Sequence, residues 1–194
     1  MIALPRPACP NPGALSAGNY KHPDNKEALR QSTSCKCMYC EAKIEDVSYA
    51  HVEHIKPKAQ GKFPELEFVW YNLGFSCQVC NTTKSDKYDD ATPFINPYDE
   101  NPEDYLVFLG FQLHPKQGSE RGEFTIQEIG LNRANLIERR KDKLDDIYKI
   151  INAAYRTQNP NMRKQAIDSL KEYAESDKEF SAMAKSVLVA HEIL

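Results

Sequence analysis

From residue 132 to the C-terminus, apolar residues return at three- and four-residue spacing, and charged residues fill the gaps. Ile137, Leu144, Ile147, Tyr148, Ile151 and Tyr155 form one such stripe, which predicts an amphipathic helix with Asn132 placed to cap it. Asn159-Pro160 then opens a second helix, with proline at its first position and Met162, Ile167, Leu170 and Tyr173 turned inward. Ser176 or Asp177 is placed to cap a third, presenting Phe180, Met183, Val187 and Ile193. No internal repeat is visible.

Upstream the pattern changes period. Residues 47–55 are rich in β-formers and interrupted by polar positions, which predicts a strand. Pro57, Gly61 and Pro64 mark a loop, and Phe68-Val69-Trp70-Tyr71 reads as a buried or strand-like anchor. The apolar run 105–111 is a strand candidate, with Phe124-Thr125-Ile126 as a second short strand to pair with it. A short helix is expected over 25–31. Residues 1–24 are proline-rich with little periodicity, and read as an extended arm that orders only against something else. The chain is therefore expected to be α+β: an arm over 1–34, a chemically dense core over 35–90, an extended connecting region over 91–131 and a helical region over 132–194.

Composition narrows the class. The 41% hydrophobic and 27% charged content suits a globular protein, and no apolar run reaches the roughly 18 to 20 residues a membrane span needs. No secretion signal is visible at the N-terminus, so a cytoplasmic protein is expected. The net charge is −3, with 11 basic and 11 acidic side chains in residues 1–90 and 14 and 17 in residues 91–194. A protein that grips nucleic acid unaided usually has a basic surplus. Either a local basic strip does that work or a partner does.

Four of the six cysteines fall in two Cys-x-x-Cys pairs, Cys37/Cys40 and Cys77/Cys80, separated by 36 residues. In a reducing compartment this favours one structural zinc bound by four thiolates over disulfides. A reduced cysteine set or a redox pair is the competing reading. Cys9 and Cys35 remain outside the pattern, Cys35 being too close to Cys37 to share a knuckle. Such a zinc has no open coordination position, so it would hold the fold together and leave the chemistry to other residues.

The segment between and just after the pairs holds His51-Val52-Glu53-His54-Ile55-Lys56-Pro57-Lys58, then Trp70-Tyr71-Asn72-Leu73, then Cys80-Asn81-Thr82-Thr83-Lys84. Each piece alone is weak. In this order, interleaved with the cysteine pairs over residues 37–87, they resemble the HNH family of ββα-metal endonucleases. The resemblance implies a general base at His54, an imidazole suited to proton transfer near neutral pH. It implies that Glu53 and Asn81 hold one divalent magnesium or manganese ion, and that Asn72 braces the loop behind the base. It implies a phosphate contact at Lys84. Two positions depart from the commonest pattern, Glu53 where many members have Asp or His and Asn81 where many have His; both keep an oxygen ligand. His51 has no fixed role in that pattern, and reads either as a metal or substrate contact or as an ordinary strand histidine.

A wider resemblance covers roughly 35–145. Cys37-Met38-Tyr39-Cys40-Glu41, the 52–58 run, Asn81-Thr82-Thr83-Lys84-Ser85-Asp86, Pro93-Phe94-Ile95-Asn96-Pro97, and Gly130-Leu131-Asn132-Arg133 with Leu136, Arg139 and Arg140 are similar to the PtuB nucleases found with ABC-type ATPases in Septu and retron-associated anti-phage defence. That implies a DNA substrate and a PtuA-like ATPase partner, which would contact the arm at 5–23 or the helical segment after Asn132. A standalone HNH nuclease of restriction or homing type, and a zinc-stabilised interaction module with a vestigial site, are the alternatives.

Overall fold

The computed structural model describes residues 1–44 and 49–194. Two short helices, α1 (Pro12–Ser16) and α2 (Pro23–Ser32), lead to a hairpin of β1 (Ala50–His54) and β2 (Leu73–Cys77), followed by α3 (Gln78–Lys84). A second hairpin, β3 (Leu106–Leu109) and β4 (Gln112–Pro115), precedes four helices: α4 (Glu120–Ile129), α5 (Ala134–Arg156), α6 (Pro160–Glu172) and α7 (Ser181–Ala190). The α+β class holds, as a ββα unit with a four-cysteine cluster ahead of a mainly helical region. Among the described residues no helix is long and apolar enough to cross a membrane.

β1 and β2 pair antiparallel, with Glu53 opposite Gly74 and His54 opposite Leu73. Every residue of β2 is buried, because the turn carrying Cys37 and Cys40 lies across the hairpin and bonds to it, Met38 N–H donating to the Phe75 carbonyl at 3.0 Å. Gly74 is where that approach is tightest: a Cβ there would run into the Met38 thioether. The expected strand over 47–55 is thus found from Ala50, and residues 47 and 48 lie outside the described residues.

The proline-rich segment is packed on the body. Leu4 N–H donates to the Pro97 carbonyl at 2.7 Å, the Trp70 indole donates to the Pro7 carbonyl at 2.8 Å, and Arg6 donates to the Leu73 and Tyr71 carbonyls at 2.6 and 3.1 Å. In the anchor 68–71, only Trp70 is buried, and it belongs to a 3-10 turn that runs into β2.

Three sequence expectations are corrected. Phe124-Thr125-Ile126 is helical, within α4, and β3 pairs instead with β4 across a Gly110-Phe111 turn. Thr125, Ile126 and Ile129 are buried at helical spacing, Ser119 caps the start by accepting from Gly122 N–H at 3.1 Å, and Gly130 ends the helix with φ at 67°. Asn132 does not cap α5. Its amide is taken up by the Leu113 backbone, accepting from N–H at 3.1 Å and donating to the carbonyl at 2.7 Å. The last helix starts at Ser181, after Phe180 in the left-handed region, and neither Ser176 nor Asp177 caps it. Its cap is Glu41, whose Oε2 accepts from Ser181 Oγ at 2.9 Å and Ala182 N–H at 3.2 Å, the carboxylate lying where helix N–H groups favour an anion. Asn159 does cap α6, accepting from Asn161 and Met162 N–H.

The long α5, which buries Leu136, Leu144, Ile147 and Ile151, packs on α6 with its buried Leu170, while α7, which buries Met183, Val187 and Leu188, packs on β3. Ile137, Ile167, Tyr173 and Ile193 are half-buried, while Tyr148, Tyr155 and Met162 face outward.

Candidate active site and metal centre

Cys37 and Cys40 come from the turn over the hairpin, Cys77 from the end of β2 and Cys80 from the first turn of α3. All four sulfurs are buried and lie within 4.8 Å of one another. Tetrahedral zinc with bonds of about 2.3 Å needs sulfurs about 3.8 Å apart, and Cys40 and Cys77 are already at 4.0 Å. Soft donors in a closed tetrad fit a structural zinc. Cys80 N–H donates to Cys77 Sγ at 3.5 Å, and Arg133 Nη1 donates to Cys80 Sγ at 3.5 Å, so the sulfurs have donors that favour their ionised form. The thiols share hydrogen bonds: those from Cys37 hold Cys40 and Cys77 below the ordinary thiol value, while burial pushes Cys37 up and the bond with Cys37 pushes Cys80 up.

Beside this cluster a cavity of about 530 Å³ opens between β1, α3 and the segment before α2. Tyr20, Lys21, Lys26, His51, Glu53, His54, Lys58, Asn81 and Asp86 line it, so three of the four catalytic candidates, Glu53, His54 and Asn81, share one hollow. The fourth, Asn72, is buried behind it. Its Oδ1 accepts from Lys56 N–H at 2.8 Å, and its Nδ2 donates to the Lys56 and Leu66 carbonyls at 2.9 and 3.2 Å, tying both ends of the loop after β1 together.

His54 is half-buried, with Nε2 2.9 Å from the Glu67 carbonyl oxygen and the edge of its ring against Tyr20, centroids 4.7 Å apart. A carbonyl only accepts, so the ring hydrogen sits on Nε2 and Nδ1 keeps its lone pair. Burial lowers the imidazole below its ordinary value and keeps it neutral near pH 7. Glu53 is only 2% exposed. Its Oε1 accepts from Lys84 Nζ at 2.7 Å and from the Tyr39 hydroxyl at 3.3 Å. Burial pushes its carboxyl up from the ordinary range, against the pull of the Lys84 ammonium. Lys84 itself is 1% exposed, and its ammonium also donates to the His54 carbonyl at 2.8 Å, so it lies behind Glu53 and not on the cavity wall. Asn81 Nδ2 lies 2.8 Å from His51 Nδ1, and burial lowers the His51 imidazole.

Several contributors were missed from sequence. Tyr39 sits inside the first cysteine pair, where nothing marked it as a partner of Glu53. Tyr20 and Lys21 come from a segment whose proline content pointed to an extended arm and Lys26 from α2, yet the three form a wall of the cavity. Lys58, in the 52–58 run, meets the Tyr20 hydroxyl at 3.1 Å and Glu67 at 2.5 Å. Cys9 lies 3.6 Å from the Asn25 amide oxygen, and neither it nor Cys35 belongs to the four-sulfur group.

Residues 37–87 match the family described as HNH endonuclease. The chain is also 30% identical over 157 residues to Septu protein PtuB of Bacillus mycoides (strain KBAB4), across 66% of this chain and 53% of that protein. It is 33% identical over 122 residues to Septu protein PtuB of Bacillus thuringiensis, across 61% and 46%. The chain spans about half the length of the curated relatives it matches. Both findings link it to HNH nucleases and to PtuB-type proteins.

Proposed function

We propose that this chain is a metal-dependent endonuclease that hydrolyses phosphodiester bonds of DNA as the nuclease component of an ATPase-linked anti-phage complex. The observation that carries the reading is the placing of His54, Glu53 and Asn81 on one cavity, with the His54 ring held by the Glu67 carbonyl so that Nδ1 is the basic nitrogen. A carboxylate and an amide oxygen are hard donors, so Glu53 and Asn81 fit magnesium or manganese. When bound, such an ion supplies charge stabilisation for the transition state and the leaving oxygen. His54 Nδ1 takes a proton from a water molecule as its oxygen bonds to phosphorus; the ester P–O bond on the opposite side breaks, and the leaving oxygen is protonated from solvent. Lys21 and Lys26 set positive charge around the hollow for the flanking phosphates, Lys58 being paired with Glu67, and Asn72 keeps the loop that carries Lys56 and Lys58 in place.

The likeness to PtuB proteins supports the defence assignment and a PtuA-like ATPase partner, and the overall charge of −3 supports a partner sharing the grip on DNA. The lysines on the cavity wall favour the second reading, a standalone nuclease that holds its own substrate. Cleavage of supercoiled plasmid tests both. His54→Ala should reduce the rate by about 10²- to 10⁴-fold with zinc content and fold intact; cleavage at the wild-type rate sinks the nuclease mechanism. Cleavage that needs an added PtuA-like ATPase supports the complex, while fast cutting by the isolated chain at physiological salt favours the standalone enzyme.

A further inference from the structure

We propose that His51 is a positioning residue that turns the Asn81 amide so that its oxygen, and not its nitrogen, faces the divalent ion. This rests on the proposed function and deepens it. His51 stands two residues before Glu53 on β1, and strand alternation puts both on one face of the hairpin, where both line the cavity. Asn81 reaches the same cavity from α3, and the one hydrogen bond of its side chain among the described residues is the 2.8 Å contact with His51 Nδ1.

The two ends of an amide have nearly the same shape and opposite chemistry. The oxygen has lone pairs for a cation; the nitrogen has only hydrogens to offer. An unrestrained Asn81 would therefore present either end. His51 removes the ambiguity if its Nδ1 is an acceptor, because only the amide nitrogen can then approach to 2.8 Å. The hydrogen of His51 then sits on Nε2, and Asn81 Oδ1 is left for the ion. His51 is only half-buried, so filling space in the core does not explain its place. Glu53 needs no such help, since both its ends are oxygens and Lys84 and Tyr39 fix it through Oε1.

The experiment is a manganese titration of the full zinc-loaded chain, free Mn²⁺ being read by electron paramagnetic resonance, with plasmid cleavage run alongside. His51→Ala should weaken Mn²⁺ binding about 10- to 100-fold, the usual effect of losing an outer partner of a metal ligand, and saturating Mn²⁺ should restore cleavage. His51→Gln, whose Oε1 accepts from the Asn81 amide, should bind within about threefold of wild type. In an Asn81→Asp background both ends are oxygens, so adding His51→Ala should change Mn²⁺ affinity by no more than about twofold. Equal affinity for wild type and His51→Ala, or an undiminished loss in the Asn81→Asp background, overturns the positioning role while leaving the nuclease reading standing. A wild-type chain that holds its zinc and binds no Mn²⁺ overturns both.

Discussion

Lys84 shows how a residue's type and its place in a motif can be legible while its use is not. The sequence puts a lysine just past the last motif asparagine, where a phosphate contact is expected. Its ammonium is instead committed to Glu53 at 2.7 Å and to the His54 carbonyl at 2.8 Å, in a site 1% exposed. Only the third dimension shows this, because Lys84 and Glu53 are 31 positions apart and meet through the packing of α3 on β1. Asn72 is the opposite case. The motif suggests a brace there, and its three hydrogen bonds to backbone at Lys56 and Leu66 tie the ends of the loop after β1, a geometry the proposed role can use. The commitment of Lys84 can be measured. Lys84→Met strands a buried carboxylate without its cation, and should lower unfolding free energy by about 3 to 5 kcal/mol in urea. If the variant is as stable as wild type and only its KM for DNA rises, Lys84 faces the substrate after all.

At the scale of elements, the sequence showed most clearly those features whose cause is local. The strand at the site, the helix over 25–31 and the Asn159 cap of α6 all follow from short-range patterns. The segment 119–130 was misread because Phe124-Thr125-Ile126 is β-rich taken alone, whereas its serine cap and terminal glycine lie outside that triplet. The start of α7 could not be read locally at all. Its cap, Glu41, is 140 residues away in the turn beside Cys40, and the same carboxylate pairs with the buried Lys36 and with the Met1 amino group. Helix α7 is therefore tied to the cysteine turn by Glu41, and Lys36, next to Cys37, adds a bond to Ser181 Oγ at 3.3 Å. Glu41→Ala should cost about 3 kcal/mol or more, since it leaves the buried Lys36 without its carboxylate and removes the cap. Ser176→Ala and Asp177→Ala, at the positions the sequence suggested, should each stay within about 0.5 kcal/mol. Thermal unfolding of the three variants side by side decides it, and equal losses would remove Glu41 from the role.

For the whole molecule, the four-sulfur cluster is one place where the ββα unit and the helical region meet. A tetrathiolate zinc centre is dianionic, and the cations near it come from the C-terminal half. Arg133, the residue before α5, donates to Cys80 Sγ at 3.5 Å and to the Gly130 carbonyl at 3.2 Å, and the neighbouring thiolates hold its guanidinium firmly charged against burial. Arg140, about two turns further along α5, is 1% exposed; burial lowers it to about 10, still charged at neutral pH, while Cys40 and Glu41 pull it up. Glu41 then carries the connection from the same turn to α7. The two cysteine pairs were plain in the sequence, but their coupling to the helices was not, because the arginines looked like ordinary charges on a helix face. The coupling predicts that loss of zinc from the tetrad is felt across the whole fold. We expect one zinc per chain by elemental analysis, and a strong chelator should abolish the cooperative melt of α5, α6 and α7 as well as disordering the cysteine turn, because metal affinity in such sites is folding free energy. Circular dichroism at 222 nm reads the helices directly, since most of the helical residues lie after Arg133. Cys37→Ser and Cys80→Ser should reproduce the loss without chelator. A zinc-free chain whose helices melt at the wild-type temperature would mean that the helical region folds on its own and that Arg133 and Glu41 merely touch the module they sit beside.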